Sequence, residues 1–162
     1  MTSWWRRQRV ALIALLVAAV AVVGVHVWFD VLPASTDDTS VVEARDGSAE
    51  IAGQSLALDS ARWGEFDAPA GSRTLSIRIA SGGGSAATSC GQFTIAEAEG
   101  DRVWSNARSV LDVPFEAGES YCHQASGPYA ILAVFLLPDD AEGPFVLEIP
   151  GDGEVARFPV EP

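Results

Sequence analysis

The sequence predicts an all-β sandwich of about seven or eight short strands behind one N-terminal transmembrane helix. Three observations carry this. An almost unbroken apolar run fills residues 10–29, directly after Arg6, Arg7 and Arg9. From about Ile51 onward apolar residues alternate with polar ones, punctuated by Gly and Pro, the period-2 signature of half-buried strands. No stretch after Asp30 has a long helical apolar period.

The run from Val10 to Phe29 carries no charged residue apart from the titratable His26. At 1.5 Å per helical residue, about twenty residues cover roughly 30 Å, the hydrocarbon thickness of a bilayer. The arginines precede the run, so residues 1–9 are expected in the cytoplasm and everything beyond the span outside the cell membrane. Trp4, Trp5 and Trp28 suit the two headgroup interfaces, and His26 falls near the outer one. A cleaved signal peptide would have an apolar region of about 7–15 residues and then a small-x-small site. Here Ala19 and Ala21 have that spacing but lie mid-run, with Val22, Val23 and Val25 following, and Asp30–Ser35 offers no such site. An uncleaved signal-anchor is the expectation. Arg6-Arg7 is followed by Gln8-Arg9-Val10, a poor fit to twin-arginine export, so the arginines are read as topology signals.

Residues 30–49 read as a linker, because Pro33–Gly47 is too poor in apolar residues to pack by itself. Residues 50–162 read as the sandwich. Leu56 and Leu58 alternate with polar or small neighbours and lead to Trp63. Leu75, Ile77 and Ile79 form a half-buried strand ended by Gly82-Gly83-Gly84, read as a flexible connection. Phe93 and Ile95 pair through a turn at Glu99–Asp101 with Val103-Trp104 in a hairpin. Val110–Phe115 suggests an edge strand interrupted by Pro114. Tyr129–Leu137 is continuously apolar, as in a central strand covered on both faces. Phe145, Leu147 and Ile149 alternate again, and Gly151-Asp152-Gly153 turns the chain into Val155–Val160. Seven or eight such strands fit an immunoglobulin-like β-sandwich, with a small barrel as the alternative.

Composition narrows the function. All ten basic residues are arginine, which with abundant Ala, Val and Gly suggests a GC-rich, actinobacterial gene. Beyond Pro33 there are seven arginines and 21 acids, a formal balance of −14. Such a surface excludes nucleic-acid binding through a basic patch. Cys90 and Cys122 both lie on the outer side, where an even pair reads as one disulfide. It would close a loop of about 33 residues, worth roughly 3–4 kcal/mol in the chain-entropy picture. The short spacing, with Trp104 between the cysteines, meets the antibody-type pattern only loosely and suggests that the bond joins other strands.

Two segments carry a resemblance. Phe93-Thr-Ile-Ala-Glu-Ala-Glu-Gly-Asp-Arg-Val-Trp104 resembles a recurring hairpin, and Val134-Phe135-Leu-Leu-Pro138 with Phe145-Val-Leu-Glu-Ile149 resembles the closing strands, of telokin-like immunoglobulin-fold domains in secreted and membrane-anchored actinobacterial proteins. The resemblance covers about residues 50–160. It implies the fold and brings no catalytic residues.

No catalytic, cofactor or metal residue emerges from the sequence. His123 beside Cys122 lacks a nucleophile motif. Gly82–Ser85 lacks the Lys-Ser/Thr of a phosphate loop. The acidic turns Asp139–Glu142 and Gly151–Glu154 match no calcium loop. Trp104 and Tyr129 fall in strand patterns and read as core. Trp63, Phe66, Phe115 and Tyr121 are placed less regularly and form the candidate recognition patch. The expected function is a non-catalytic binding or interaction module at the cell envelope, its partner an envelope protein or ligand. One alternative is an accessory subunit docking onto a membrane complex through residues 10–29. The other is an envelope hydrolase or metal-dependent enzyme.

Overall fold

The computed structural model describes residues 2–26, 39–84 and 87–162. They form two units, Met1–Asp38 and Thr39–Pro162.

The first unit contains one helix, α1 (Thr2–His26), of 25 residues. No proline interrupts it, and helix-tolerant Ala and Leu dilute its valines. Its described apolar side chains, Ile13 to Val25, are exposed on all sides of the axis. Among the described residues no helix is long and apolar enough to cross a membrane. Part of the expected span, Val27–Phe29, lies outside the described residues, as does Trp28.

The second unit has nine strands among the described residues: β1 (Ser40–Glu43), β2 (Ser48–Ile51), β3 (Gln54–Trp63), β4 (Ser72–Ser81), β5 (Thr94–Glu97), β6 (Val103–Ser105), β7 (Tyr129–Pro138), β8 (Phe145–Gly151) and β9 (Glu154–Val160). They form two sheets, ordered β1-β9-β8-β5-β6 and β2-β3-β4-β7. A β-sandwich accounts for this arrangement. The stretch read as linker is shorter than expected, because it supplies β1 and the first half of β2. β1 runs parallel to β9, with Ser40 opposite Glu154 and Glu43 opposite Arg157. Of the two apolar residues of β1, Val42 packs against the core and Val41 is exposed, so pairing with β9 supplies much of its hold in the sheet.

Two-residue turns fix the register of the hairpins. Asp46-Gly47, Ala52-Gly53 and Asp152-Gly153 all have positive φ at both positions, the twist that right-handed hairpins favour. β4 and β7 pair along their whole length, from Ser72 opposite Pro138 to Ser81 opposite Tyr129. Leu75, Ile77 and Ile79 of β4 meet Ile131, Ala133, Phe135 and Leu137 of β7 in one core with Phe145, Leu147 and Phe158 of the facing sheet. Each fully buried phenylalanine contributes about 1.5–3 kcal/mol by leaving water. Trp104 and Tyr129 are partly buried and pack against this core.

The outer face of the four-stranded sheet is also covered. Thr74 and Ser76 are buried, so β4 is not half-buried as its alternation suggests. The Thr74 hydroxyl donates to the Phe66 carbonyl at 2.7 Å, folding residues 64–70 over this face. Leu132 and Val134 of β7 are buried but stand outside the central core cluster.

β7 is covered on both faces as expected, yet it lies at the end of its sheet rather than in the centre. Its outer edge is closed by the segment Asn106–Glu119. That segment was expected to contain an edge strand at Val110–Phe115. Instead it has short 3-10 turns at Arg108–Val110 and Phe115–Ala117. Pro114 has no N–H to give to a ladder, and the chain here is held by a side chain instead.

Candidate functional site

Asn106–Glu119 replaces a regular strand along β7, and its hydrogen bonds account for the β7 edge group by group. Glu119 N–H donates to the Ala130 carbonyl at 2.9 Å, and Leu132 N–H donates to the Glu119 carbonyl at 2.8 Å. Ala107 N–H donates to the Val134 carbonyl at 2.7 Å. Val134 N–H donates to Asn106 Oδ1 at 3.2 Å. Between these two bridges the Leu132 carbonyl accepts from Arg108 Nη1 at 3.3 Å.

Arg108 is the centre of this arrangement. It is buried and takes part in none of the described ion pairs. Its guanidinium spends itself on main-chain carbonyls: Glu119 at 2.8 Å and Leu132 from Nη1, Pro114 and Phe115 at 3.3 Å from Nη2. A buried charge survives only when its donors are satisfied, and here a rigid fork of donors gathers four carbonyls of an otherwise irregular segment. Gly118 completes the return: its φ is 144°, and an added Cβ would lie 3.2 Å from Leu132 Cβ.

The disulfide forms between Cys90 and Cys122, with Cα atoms 5.3 Å apart. It joins two connections, the one between β4 and β5 and the one between β6 and β7, rather than two strands. The glycine run in the first connection is packed, not free. An added Cβ at Gly83 would fall 2.3 Å from the Gly127 carbonyl oxygen, and one at Gly84 would fall 2.9 Å from that of Gly53. A polar knot ties the other end. His123 N–H donates to Tyr129 Oη at 2.8 Å. The Tyr129 hydroxyl donates to Gln54 Oε1 at 2.7 Å, and Ser81 donates to the same oxygen at 2.6 Å.

Between the disulfide and the Arg108-held segment lies an open groove of about 490 Å³, its walls including Phe93, Phe115 and Tyr121. Phe115 is 83% exposed and Tyr121 54% exposed. Val110, on the same segment, is 78% exposed and lines the adjoining groove with Phe66. The structure therefore brings Phe115 and Tyr121 together, places Phe66 in the neighbouring groove and sets Trp63 elsewhere. Trp63 packs edge-on against Phe145, centroids 5.9 Å apart, with the Arg73 guanidinium 3.8 Å over its ring. Trp63 is half-buried and borders a separate groove with Arg73 and Pro144. Val110 and Arg108 are the residues that sequence reasoning passed over. Val110 stood inside the expected edge strand and so carried no signal of exposure, and the burial of Arg108 is visible only in the structure.

The remaining candidates separate from this site. The His123 ring lies 4.5 Å from that of Tyr129, and its Nδ1 is buried without a hydrogen-bond partner. Among the described hydrogen bonds none joins that ring to a serine. Among the described residues no three His, Cys, Asp or Glu side chains are grouped to hold a metal ion. Asp140 pairs with Arg102. The hydrogen bond from Arg78, which also pairs with it electrostatically, holds the Glu65 carboxyl below its ordinary range.

No protein-family model, no curated protein and no solved structure matches this chain.

Proposed function

We propose that residues 10–29 anchor the chain in a cell membrane with residues 1–9 in the cytoplasm, and that the β-sandwich is an extracytoplasmic, non-catalytic binding module. The anchor rests on the apolar run behind three arginines. The apolar side chains described in α1, Ile13 to Val25, are exposed and fall within this run. The immunoglobulin-like, telokin-like affiliation is part of the same proposal. The order β9-β8-β5 reproduces the G-F-C order of such sandwiches. The hairpin that carries the resemblance is β5–β6.

The observation that carries the binding role is the exposure of Phe115 and Val110 from a segment pinned by a buried arginine, with exposed Tyr121 next to the disulfide-bonded Cys122. Exposed large apolar side chains on rigid backbone bind at low entropic cost. The test is crosslinking in intact membranes followed by affinity capture, comparing full-length protein, an anchor-swapped chain and Phe115→Ala/Val110→Ser. A partner kept by the anchor swap and lost in the double variant supports the module. A partner indifferent to the double variant removes it.

A second reading, an accessory subunit docking through α1, is favoured by the same exposed apolar side chains from Ile13 to Val25. It predicts a partner lost with the anchor swap alone.

A further inference from the structure

We propose that the groove beside the disulfide is a binding subsite for a neutral glycan. This deepens the binding-module reading and rests on it. The inference comes from what the groove offers and what it withholds. Phe115 and Tyr121 present aromatic surface. Around them stand the Gln92 carboxamide and the hydroxyls of Ser109, Ser120 and Tyr121. None of these polar groups is used in a hydrogen bond among the described residues, so their donors and acceptors are unspent. Aromatic faces accept the C–H faces of pyranose rings, and amides and hydroxyls pair with sugar hydroxyls in both directions.

The groove withholds charge. Although the region beyond Pro33 has a formal balance of −14, no carboxylate lines this groove. Its one charged wall residue, Arg108, is committed to four main-chain carbonyls. A phosphate, a uronate or a basic peptide would find no free counter-charge there. An extended peptide would also lack its usual main-chain partner. From Ala130 to Val134 the adjoining β7 edge is already paired with Asn106–Glu119, which closes the strand-addition mode. At about 490 Å³ the groove has the size of a small-ligand site. The disulfide at one wall and Arg108 at the other hold it formed before any ligand arrives.

The test uses full-length protein in a detergent without a sugar headgroup, titrated calorimetrically with cellohexaose, maltohexaose, mannohexaose and a galactan hexasaccharide, and with hexagalacturonate as the anionic control. The expected result is binding of at least one neutral oligosaccharide. Tyr121→Ala and Gln92→Ala each weaken it about tenfold or more, and Val103→Ala, an exposed apolar residue outside the groove, leaves it unchanged. Binding of none of the neutral sugars, preference for the uronate, or indifference to both groove variants overturns the proposal. A photo-crosslinker at position 115 separates its failure from that of the wider reading. A protein adduct without sugar binding leaves the binding module standing with a protein partner, and neither adduct nor sugar binding removes both.

Discussion

Replacing Arg108 with methionine tests whether one side chain organises the segment along β7. The substitution keeps much of the stem and removes every donor. Of its four hydrogen bonds, the one to the main-chain carbonyl of Glu119 at 2.8 Å is of full strength, and those to Leu132, Pro114 and Phe115 are long at 3.3 Å. Hydrogen bonds from a charged donor contribute about 1.5–3 kcal/mol, and long ones roughly 0.5–1 each, so the gross loss is about 3–6 kcal/mol. Methionine no longer bears the desolvation of a buried cation, which returns roughly 1–2 kcal/mol. The net expectation is about 1–5 kcal/mol of destabilisation, or a fall in Tm of roughly 4–20 °C for a domain of this size. Thermal unfolding measures the total, and native-state hydrogen exchange locates it. The amides of Leu132 and Glu119, which pair across this seam, lose protection, while that of Leu147 in the facing sheet follows global stability alone. Lysine at 108 recovers a minor part, because a point charge cannot span four carbonyls. A methionine variant within about 0.5 kcal/mol of the parent, with both seam amides still protected, refutes the reasoning.

Gly118→Ala forces a side chain onto a φ of 144° and against Leu132, and is expected to cost about 1–3 kcal/mol in chemical denaturation. Replacing both Cys90 and Cys122 by alanine removes a cross-link of sequence separation 32 and lowers stability by roughly 3–4 kcal/mol; reductant then has no further effect on the unfolding midpoint. For Glu65 the folded pKa is depressed by Arg78, so its contribution is present above the ordinary carboxylate range and fades as pH falls through the lower folded value. Arg78→Ala is therefore expected to cost up to about 1 kcal/mol near pH 7 and to converge on the parent only once the pH has fallen through the depressed folded value of Glu65, read from unfolding curves taken into the acid range.

The sandwich was legible wherever one face of a strand is dry and the other wet. Phe145-Val-Leu147-Glu-Ile149 announces period 2 and lies in β8, where burial alternates as well; Leu75-Ser-Ile77-Arg-Ile79 announces it too and lies in β4, although there Ser76 is covered. β1 was missed for the converse reason. Its two valines give no alternation long enough to read, and parallel pairing with β9 depends on residues more than a hundred positions away. Val110–Phe115 looked like a strand because periodicity cannot see hydrogen-bond partners. Pro114 hinted at trouble, but only the geometry shows a guanidinium standing in for a missing strand.

The same limit governs the site. Phe115 and Tyr121 were recognisable as misplaced aromatics, but their convergence depends on the disulfide and on Arg108, which belong to different stretches of chain. Trp63 carried an identical sequence signal yet lies apart from them, packed on Arg73 and Phe145 beside another groove. Closing the β7 edge and presenting Phe115 are thus one structural act: the carbonyl of Phe115 itself accepts from Arg108. An unpaired strand edge invites association with other chains, so the segment that shields the sheet is also the one that holds the aromatic groove in shape. Loosening it exposes the edge and dissolves the site together, and Arg108→Met should lose ligand affinity in step with protection at Leu132.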